Sequence, residues 1–287
     1  MHECRPGSLR LAATAYKPAG SIARLGRIDS TMFSVDQIEA IALLRAVDII
    51  EVRGRTDFFG HSYLASNPQV SADIIAMLRY DLRGHGQSAV TPGDYRLEQL
   101  ADDLLDVADA QGLDRFDLCG VSIGGMVALA VAARAPGRVH RLVVSSSAPR
   151  VAPPPNGWDG RREAALQGGM APLAGPMAER MFSAAFRTSG HPTVDALKAV
   201  FEGMSPVGYA GACAVLRDAD LTPQLAQVQA PTLVVSGLQD PLCPPEKAQA
   251  LADALPRATH VSLDCGHFPP VEQPAAFAQH LLHHLSA

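Results

Sequence analysis

A five-residue segment between two apolar runs restricts the fold of this chain more than any other feature. Residues 120–124 read Gly-Val-Ser-Ile-Gly, after a short apolar run at residues 116–119 and before helix-forming residues 126–133. This context predicts a tight strand–turn–helix unit that exposes the Ser122 hydroxyl. A glycine-rich turn that contains serine by coincidence is the alternative, and the flanking strand and helix patterns argue against it.

A serine hydroxyl is a poor nucleophile unless a base and an orienting acid assist it. Two later segments supply them in the chain order Ser, Asp, His. Asp240 follows the apolar run at residues 231–237, and His267 follows a last strand pattern at residues 259–263. The sequence therefore predicts a catalytic triad of Ser122, Asp240 and His267.

Short apolar segments alternate with amphipathic segments along most of the chain, which predicts a mostly parallel sheet with helices on both faces. The pattern breaks after residue 147, where a helical stretch replaces it as far as residue 221. The predicted organisation is an unrecognised segment at 1–45, a core in two parts at 46–147 and 222–287, and a helical lid at 148–221. The predicted strands are 48–52, 74–81, 116–122, 141–147, 231–237 and 258–264, and the predicted helices are 97–110, 124–135, 245–254 and 274–285.

Composition excludes several classes of protein. The 287 residues are 47% hydrophobic with a net charge of −5, which allows a large core and gives no indication of nucleic-acid binding. No apolar run approaches the roughly 18 residues of a membrane span. Five scattered cysteines favour neither a disulfide framework nor a metal site. We therefore expect a cytoplasmic enzyme without metal or organic cofactor; a homo-oligomer is compatible with the sequence.

From about residue 78 onward the chain resembles the α/β-hydrolases, and among them the 3-oxoadipate enol-lactonases. The general motifs are the Arg79–Ser88 loop, residues 120–126, and Gly266-His267 with residues 271–274. More specific motifs lie in the lid region. They are Trp158 with Arg161, residues 168–170, the Gly-Tyr-Ala-Gly segment at 208–211, predicted to be a turn, and residues 213–218.

The resemblance implies a serine hydrolase that opens the enol-lactone 4,5-dihydro-5-oxofuran-2-acetate to 3-oxoadipate in aromatic-compound catabolism. The small anionic lactone would be its partner, and lid arginines are candidates for binding the carboxylate. Arg161 lies three residues after Trp158, so the two would share one face of a helix. Arg150, where the chain enters the lid, is the next candidate. Solvated surface arginines are the alternative interpretation for both.

The N-terminal quarter departs from the family pattern, because the usual oxyanion loop is missing. The segment after the predicted strand at 48–52 could replace that loop, so we expect oxyanion donors at Ile123 and near Gly54. Residues 1–45 match no family pattern, which suggests a divergent or frame-shifted start of the gene. By the same resemblance, the loop of Asp81 and His85 is structural. The spacing of Asp102, Asp103 and Asp106 on the predicted helix at 97–110 predicts that all three face solvent.

Three other functions stay open from the sequence. Another ester or lactone hydrolase would share every triad residue and differ only in lid contacts. A cofactor-free haloperoxidase would share the triad as well. A catalytically impaired binding protein of the same fold is the alternative from another class, because the oxyanion loop is atypical.

Overall fold

A computed structural model describes residues 47–51 and 76–286, which form a six-stranded sheet covered by helices. The order across the sheet is β2-β1-β3-β4-β5-β6. The strands are β1 (Val47–Glu51), β2 (Ala76–Tyr80), β3 (Phe116–Val121), β4 (Val139–Ser145), β5 (Thr232–Gly237) and β6 (Ala258–Leu263). The segment 1–45 and the predicted oxyanion residue Gly54 lie outside the described residues.

The mostly parallel sheet predicted from the sequence is confirmed. The pairs β3–β4, β4–β5 and β5–β6 are parallel, while β1 pairs antiparallel with both β2 and β3. Parallel neighbours place their carboxyl ends at one edge of the sheet, where loops can bring side chains from several strands together. The loops that contain Ser122, Asp240 and His267 all leave the sheet at this edge.

Two hydrophobic cores lie on opposite faces of the sheet, and successive apolar residues of a strand point into one or the other. In β4, Leu142 and Val144 belong to the larger core, whereas Val143 belongs to the smaller one on the other face. The larger core includes α1 (Leu97–Ala110), α2 (Ile123–Arg134) and α8 (Pro245–Ala254), and the smaller core includes α10 (Pro274–Ser286). Successive strand residues face opposite sides, so helices can cover both faces.

Residues 148–221, the predicted lid, contain five helices and no strand. The helices are α3 (Gly157–Gly168), α4 (Ala171–Met181), α5 (Ala184–Thr188), α6 (Pro192–Glu202) and α7 (Pro206–Asp218). They enclose apolar clusters of their own, one of which contains Met170, Met177 and Phe201. A short 3₁₀ helix, Thr222–Gln227, then leads back to β5.

Two sequence predictions are wrong in detail. Asp103 is buried, and its carboxylate accepts from Arg83 Nε at 2.9 Å and Nη2 at 2.6 Å. A side chain expected in solvent is therefore held by a charge-assisted pair. The segment 208–211 forms part of α7 and is not a turn. Gly208 leaves room there for the backbone of Gly84, with which a Cβ would overlap.

No single helix among the described residues is long and apolar enough to cross a membrane. Helices α6 and α7 meet such a test only as a pair bent by 100°, on length and composition alone.

Candidate active site

Ser122 lies at the turn between β3 and α2, in a backbone conformation that residues other than glycine seldom adopt. Its φ is 55° and its ψ −120°, and its N–H donates to the carbonyl oxygen of Ser145 at 2.9 Å. A Cβ on Gly120 would overlap the carbonyl oxygen of Gly124, so the turn requires glycine at this position. Strain of this kind is typical of functional turns. The Ser122 side chain is half-buried at the carboxyl edge of the sheet.

His267 lies in the loop after β6 and contacts Ser122 directly. Its Nε2 is 2.9 Å from the Oγ of Ser122, and the residue is only 1% exposed. Its backbone N–H donates to the carbonyl oxygen of Met181, at the end of α4, at 2.9 Å. These two contacts hold the backbone and the ring of His267 next to Ser122.

Asp240 follows β5 and completes the chain of hydrogen bonds. Its Oδ2 is 2.8 Å from Nδ1 of His267, and its Oδ1 accepts from the backbone N–H groups of Leu242 and Cys243 at 2.8 and 3.1 Å. Burial by itself would raise the pKa of Asp240. The hydrogen bond and charge of His267, with the two N–H donors, outweigh burial and hold this pKa below its ordinary value.

These contacts assign a chemical state to the three side chains. An ionised Asp240 accepts the Nδ1–H of His267, which leaves Nε2 as the acceptor for the Ser122 hydroxyl proton. Ser122 could then attack an acyl carbon while His267 takes its proton. The three residues predicted from the sequence thus form one hydrogen-bonded chain, and we treat their catalytic role as a proposal.

One of the two predicted oxyanion donors lies within the described residues. Ile123 is the first residue of α2, where backbone N–H groups have no acceptor within the helix. Its N–H directly follows Ser122, as an oxyanion donor must. Gly54 stays a prediction.

The predicted substrate-binding residues of the lid differ in their surroundings. Trp158 is 8% exposed, and its Nε1–H has no acceptor among the described residues. Arg161, half-buried one turn later, donates from Nε to the Tyr209 hydroxyl and lies over its ring at 5.9 Å. Arg150, by contrast, has a side chain that is 72% exposed and lies 3.9 Å from Asp220. The exposed ion pair gives no support to a substrate contact at Arg150, which stays a prediction.

Arg161, Tyr209 and Arg180 form a cluster in the lid, and the sequence did not predict that Arg180 belongs to it. Burial lowers the pKa of Arg180, and the nearby positive charge of Arg161 lowers it further. Burial likewise raises the pKa of Tyr209 to about 12. No ion pair joins Arg161 or Arg180 to a carboxylate within residues 76–286. The cluster is therefore rich in donors and poor in acceptors.

A group of potential metal ligands overlaps the triad. The ligand atoms of Asp240, Cys243 and His267 lie within 4.8 Å of one another. Asp240 and His267 already bind each other, and burial raises the pKa of Cys243 to about 12, with the Asp240 charge adding to the effect. The triad hydrogen bonds therefore account for the Asp240 and His267 ligand atoms of this group.

Known proteins resemble the chain in both sequence and structure. A 3-oxoadipate enol-lactonase of Acinetobacter baylyi is 32% identical over 205 residues, which cover 71% of this chain and 76% of the relative. A relative from Agrobacterium fabrum described as a carbamate hydrolase, RutD, is 28% identical over 82% of this chain and 97% of its own length. The crystal structure of the enol-lactonase from Burkholderia xenovorans superposes with a TM-score of 0.74, at 29% identity over 84% of this chain and 95% of that one.

The family assignment agrees with this geometry. Residues 60–274 match the family of the alpha/beta hydrolase fold, which is most of the chain. The sheet, its flanking helices and the serine turn have the arrangement of that fold. The chain therefore belongs to the α/β-hydrolase family.

Proposed function

We propose that this protein is a serine hydrolase that cleaves the enol-lactone of 3-oxoadipate, with water, to 3-oxoadipate. The observation that carries the proposal is the hydrogen-bonded chain from Asp240 through His267 to Ser122. The similarity to enol-lactonases from Acinetobacter baylyi and Burkholderia xenovorans supports the choice of substrate. Such a reaction belongs to the breakdown of aromatic compounds.

The reaction uses side chains, backbone N–H groups and water. Ser122 Oγ attacks the lactone carbonyl carbon while its proton moves to Nε2 of His267, and Asp240 stabilises the resulting imidazolium. The Ile123 N–H donates to the oxyanion. The ring C–O bond then breaks, and the His267 imidazolium gives its proton to the departing enolate, which becomes a ketone. Neutral His267 then deprotonates a water that attacks the acyl carbon, the bond to Ser122 Oγ breaks, and the proton passes from His267 to Oγ as the second carboxylate is released.

The lid cluster supports an anionic substrate. Arg161 and Arg180 are two half-buried cations without a carboxylate partner among residues 76–286, and Trp158 adds a buried N–H donor. A substrate carboxylate would relieve the repulsion between the guanidinium groups and accept their N–H bonds. The acetate group of the enol-lactone has this chemistry.

A second candidate is hydrolysis of another small anionic acyl compound, such as a carbamate. The relative described as a carbamate hydrolase is matched over nearly its whole length, which favours keeping this alternative. The triad suits both substrates equally, because both present a carbonyl carbon to Ser122. The lid contacts would decide between them.

The test is an assay of purified protein against the enol-lactone, a small carbamate and neutral p-nitrophenyl acetate, with Ser122→Ala as the control. We expect saturable loss of the enol-lactone that depends on Ser122. Faster turnover of the carbamate would replace the proposed substrate. Halide-dependent bromination in acetate would indicate a haloperoxidase, and inactivity on all substrates would favour a binding protein.

A further inference from the structure

The carboxylate of Glu272 contacts two segments that are far apart in sequence. Glu272 ends the short helix α9 (Pro269–Glu272), five residues after His267. Its Oε1 accepts from the N–H groups of Gly266 at 3.0 Å and Ser183 at 3.1 Å. Its Oε2 accepts from the Ser183 hydroxyl. One side chain therefore binds both the residue before the predicted base and the junction between α4 and α5.

The two bound segments also touch each other closely. His267 N–H donates to the carbonyl oxygen of Met181, and a Cβ on Gly266 would lie 2.6 Å from the nitrogen of Ser183. The ring of Phe182 packs against that of Phe268 at 5.7 Å. Residues 181–183, which we call the lid strap, thus lie directly against the His267 backbone.

The surroundings of Glu272 favour a carboxylate. All three groups that face it are donors, and no ion pair to Glu272 occurs among the described residues. An amide in its place would offer one acceptor oxygen to the two backbone donors and would lose the second oxygen, which accepts from the Ser183 hydroxyl. The charge of Glu272 is therefore matched to these donors.

We propose that Glu272 is a positioning residue for the reaction above, tying the lid strap to Gly266 so that His267 is held in reach of Ser122. The inference rests on the proposed serine hydrolase function. It makes the placement of the base depend on the docking of the lid strap. Helices outside the core sheet would in this way control the proton acceptor as well as the substrate pocket.

The first test compares Glu272→Gln with Glu179→Gln on p-nitrophenyl acetate. Glu179 is the matched control, because it is exposed on α4, two residues before the lid strap. We expect kcat of Glu272→Gln to fall by about 10- to 100-fold with KM changed less than about threefold, since the substitution displaces the base and leaves the pocket. Glu179→Gln should match the wild type. An unchanged kcat in Glu272→Gln would overturn the proposal.

A second variant covers the case in which Glu272→Gln does not fold. Ser183→Ala removes the hydroxyl that donates to Glu272 and accepts from the Phe186 N–H at the start of α5, and it leaves both backbone donors to Glu272 in place. We expect a smaller loss of kcat per folded molecule in the same direction, about two- to fivefold, together with a lower thermal unfolding midpoint, because the variant also loses the side-chain cap of α5. Loss of stability with full kcat per folded molecule would mean that the contact is merely structural.

A spectroscopic signal separates this inference from the function on which it rests. The Nδ1 proton of His267, shared with Asp240, should give a low-field proton NMR resonance whether or not any ester is turned over. We expect it to shift or broaden in Glu272→Gln and to remain in Glu179→Gln. An inactive wild type with a resonance that responds to Glu272→Gln would reject only the hydrolase function. An active wild type with a resonance unchanged in Glu272→Gln would reject only the role of Glu272.

Discussion

The Nε2 of His267 lies 2.9 Å from the Oγ of Ser122, although 145 positions separate the two residues in the chain. Each side chain is held by a different strand end: Ser122 follows β3 and His267 follows β6. The parallel sheet makes this meeting geometrically simple, because both strands end at the same edge.

Ser122→Ala should abolish hydrolysis of the enol-lactone and of p-nitrophenyl acetate while the protein stays folded. The change removes one half-buried hydroxyl and leaves the turn with a Cβ of the same size. Loss of a triad member costs about 10⁴ to 10⁶ in kcat. Steady-state kinetics and circular dichroism of the variant are the measurements. Retention of most of the activity would end the assignment of Ser122 as nucleophile.

His267→Ala should cost nearly as much as the serine change, and the two losses should not multiply. The residues act as one unit, so the double variant has little further to lose. Asp240→Asn should be milder but still severe, because the Nδ1–H tautomer loses its acceptor. Kinetics of the three single variants and the double variant test this. Losses in the double variant equal to the product of the single losses would show that the pair acts independently.

The stability of the protein should decrease in acid, partly through Asp240. Its pKa is depressed in the folded state, so the folded protein binds fewer protons than the unfolded chain at pH values below about 4. The stabilisation is thus present above the unfolded pKa and is lost as the pH falls through the folded one. Urea unfolding of wild type and Asp240→Asn between pH 6 and pH 3 measures it. If the free energy of unfolding of Asp240→Asn fell with decreasing pH as steeply as that of the wild type, the prediction would be contradicted.

The sequence predicted the triad because its three residues follow strand patterns in a fixed order. It did not predict the Glu272–Ser183 or Arg83–Asp103 contacts, which join side chains 89 and 20 positions apart. Periodicity reports which face of an element is apolar, as for Leu142 and Val143, but not which polar side chain meets a partner on another element. Arg180 was missed for the same reason: only the packing of the lid helices brings it near Arg161.

Ser146→Gly should stabilise the protein. Ser146 has a φ of 47°, in the left-handed region, and its buried Oγ has no hydrogen-bond partner among the described residues. Glycine removes both the backbone strain and the buried hydroxyl, against a gain in unfolded-chain entropy, for a net effect of up to about 1 kcal/mol. Ser146→Ala is the matched control, because it removes the hydroxyl but keeps the strained Cβ. Thermal unfolding should rank Ser146→Gly above Ser146→Ala, and the reverse order would show that φ strain is not significant here.

Arg161→Ala should weaken binding of the anionic substrate and leave hydrolysis of a neutral substrate nearly unchanged. If the guanidinium binds the carboxylate, removing a charged hydrogen bond of about 1.5–3 kcal/mol raises KM for the enol-lactone roughly tenfold to a hundredfold. Hydrolysis of p-nitrophenyl acetate should change little. Arg180→Ala should show the same selectivity, because the two cations lie in one cluster.

Two further variants of the lid separate substrate binding from support of the fold. Arg162 is adjacent in sequence, but its ion pairs join it to Asp94 and Asp159. Arg162→Ala should therefore lower the unfolding temperature without changing the ratio of KM for the two substrates. Tyr209→Phe removes the acceptor of the Arg161 Nε–H. It should weaken binding of the enol-lactone less than Arg161→Ala does. Equal losses on both substrates in Arg161→Ala would mean that this arginine supports the lid through Tyr209 and does not bind the carboxylate.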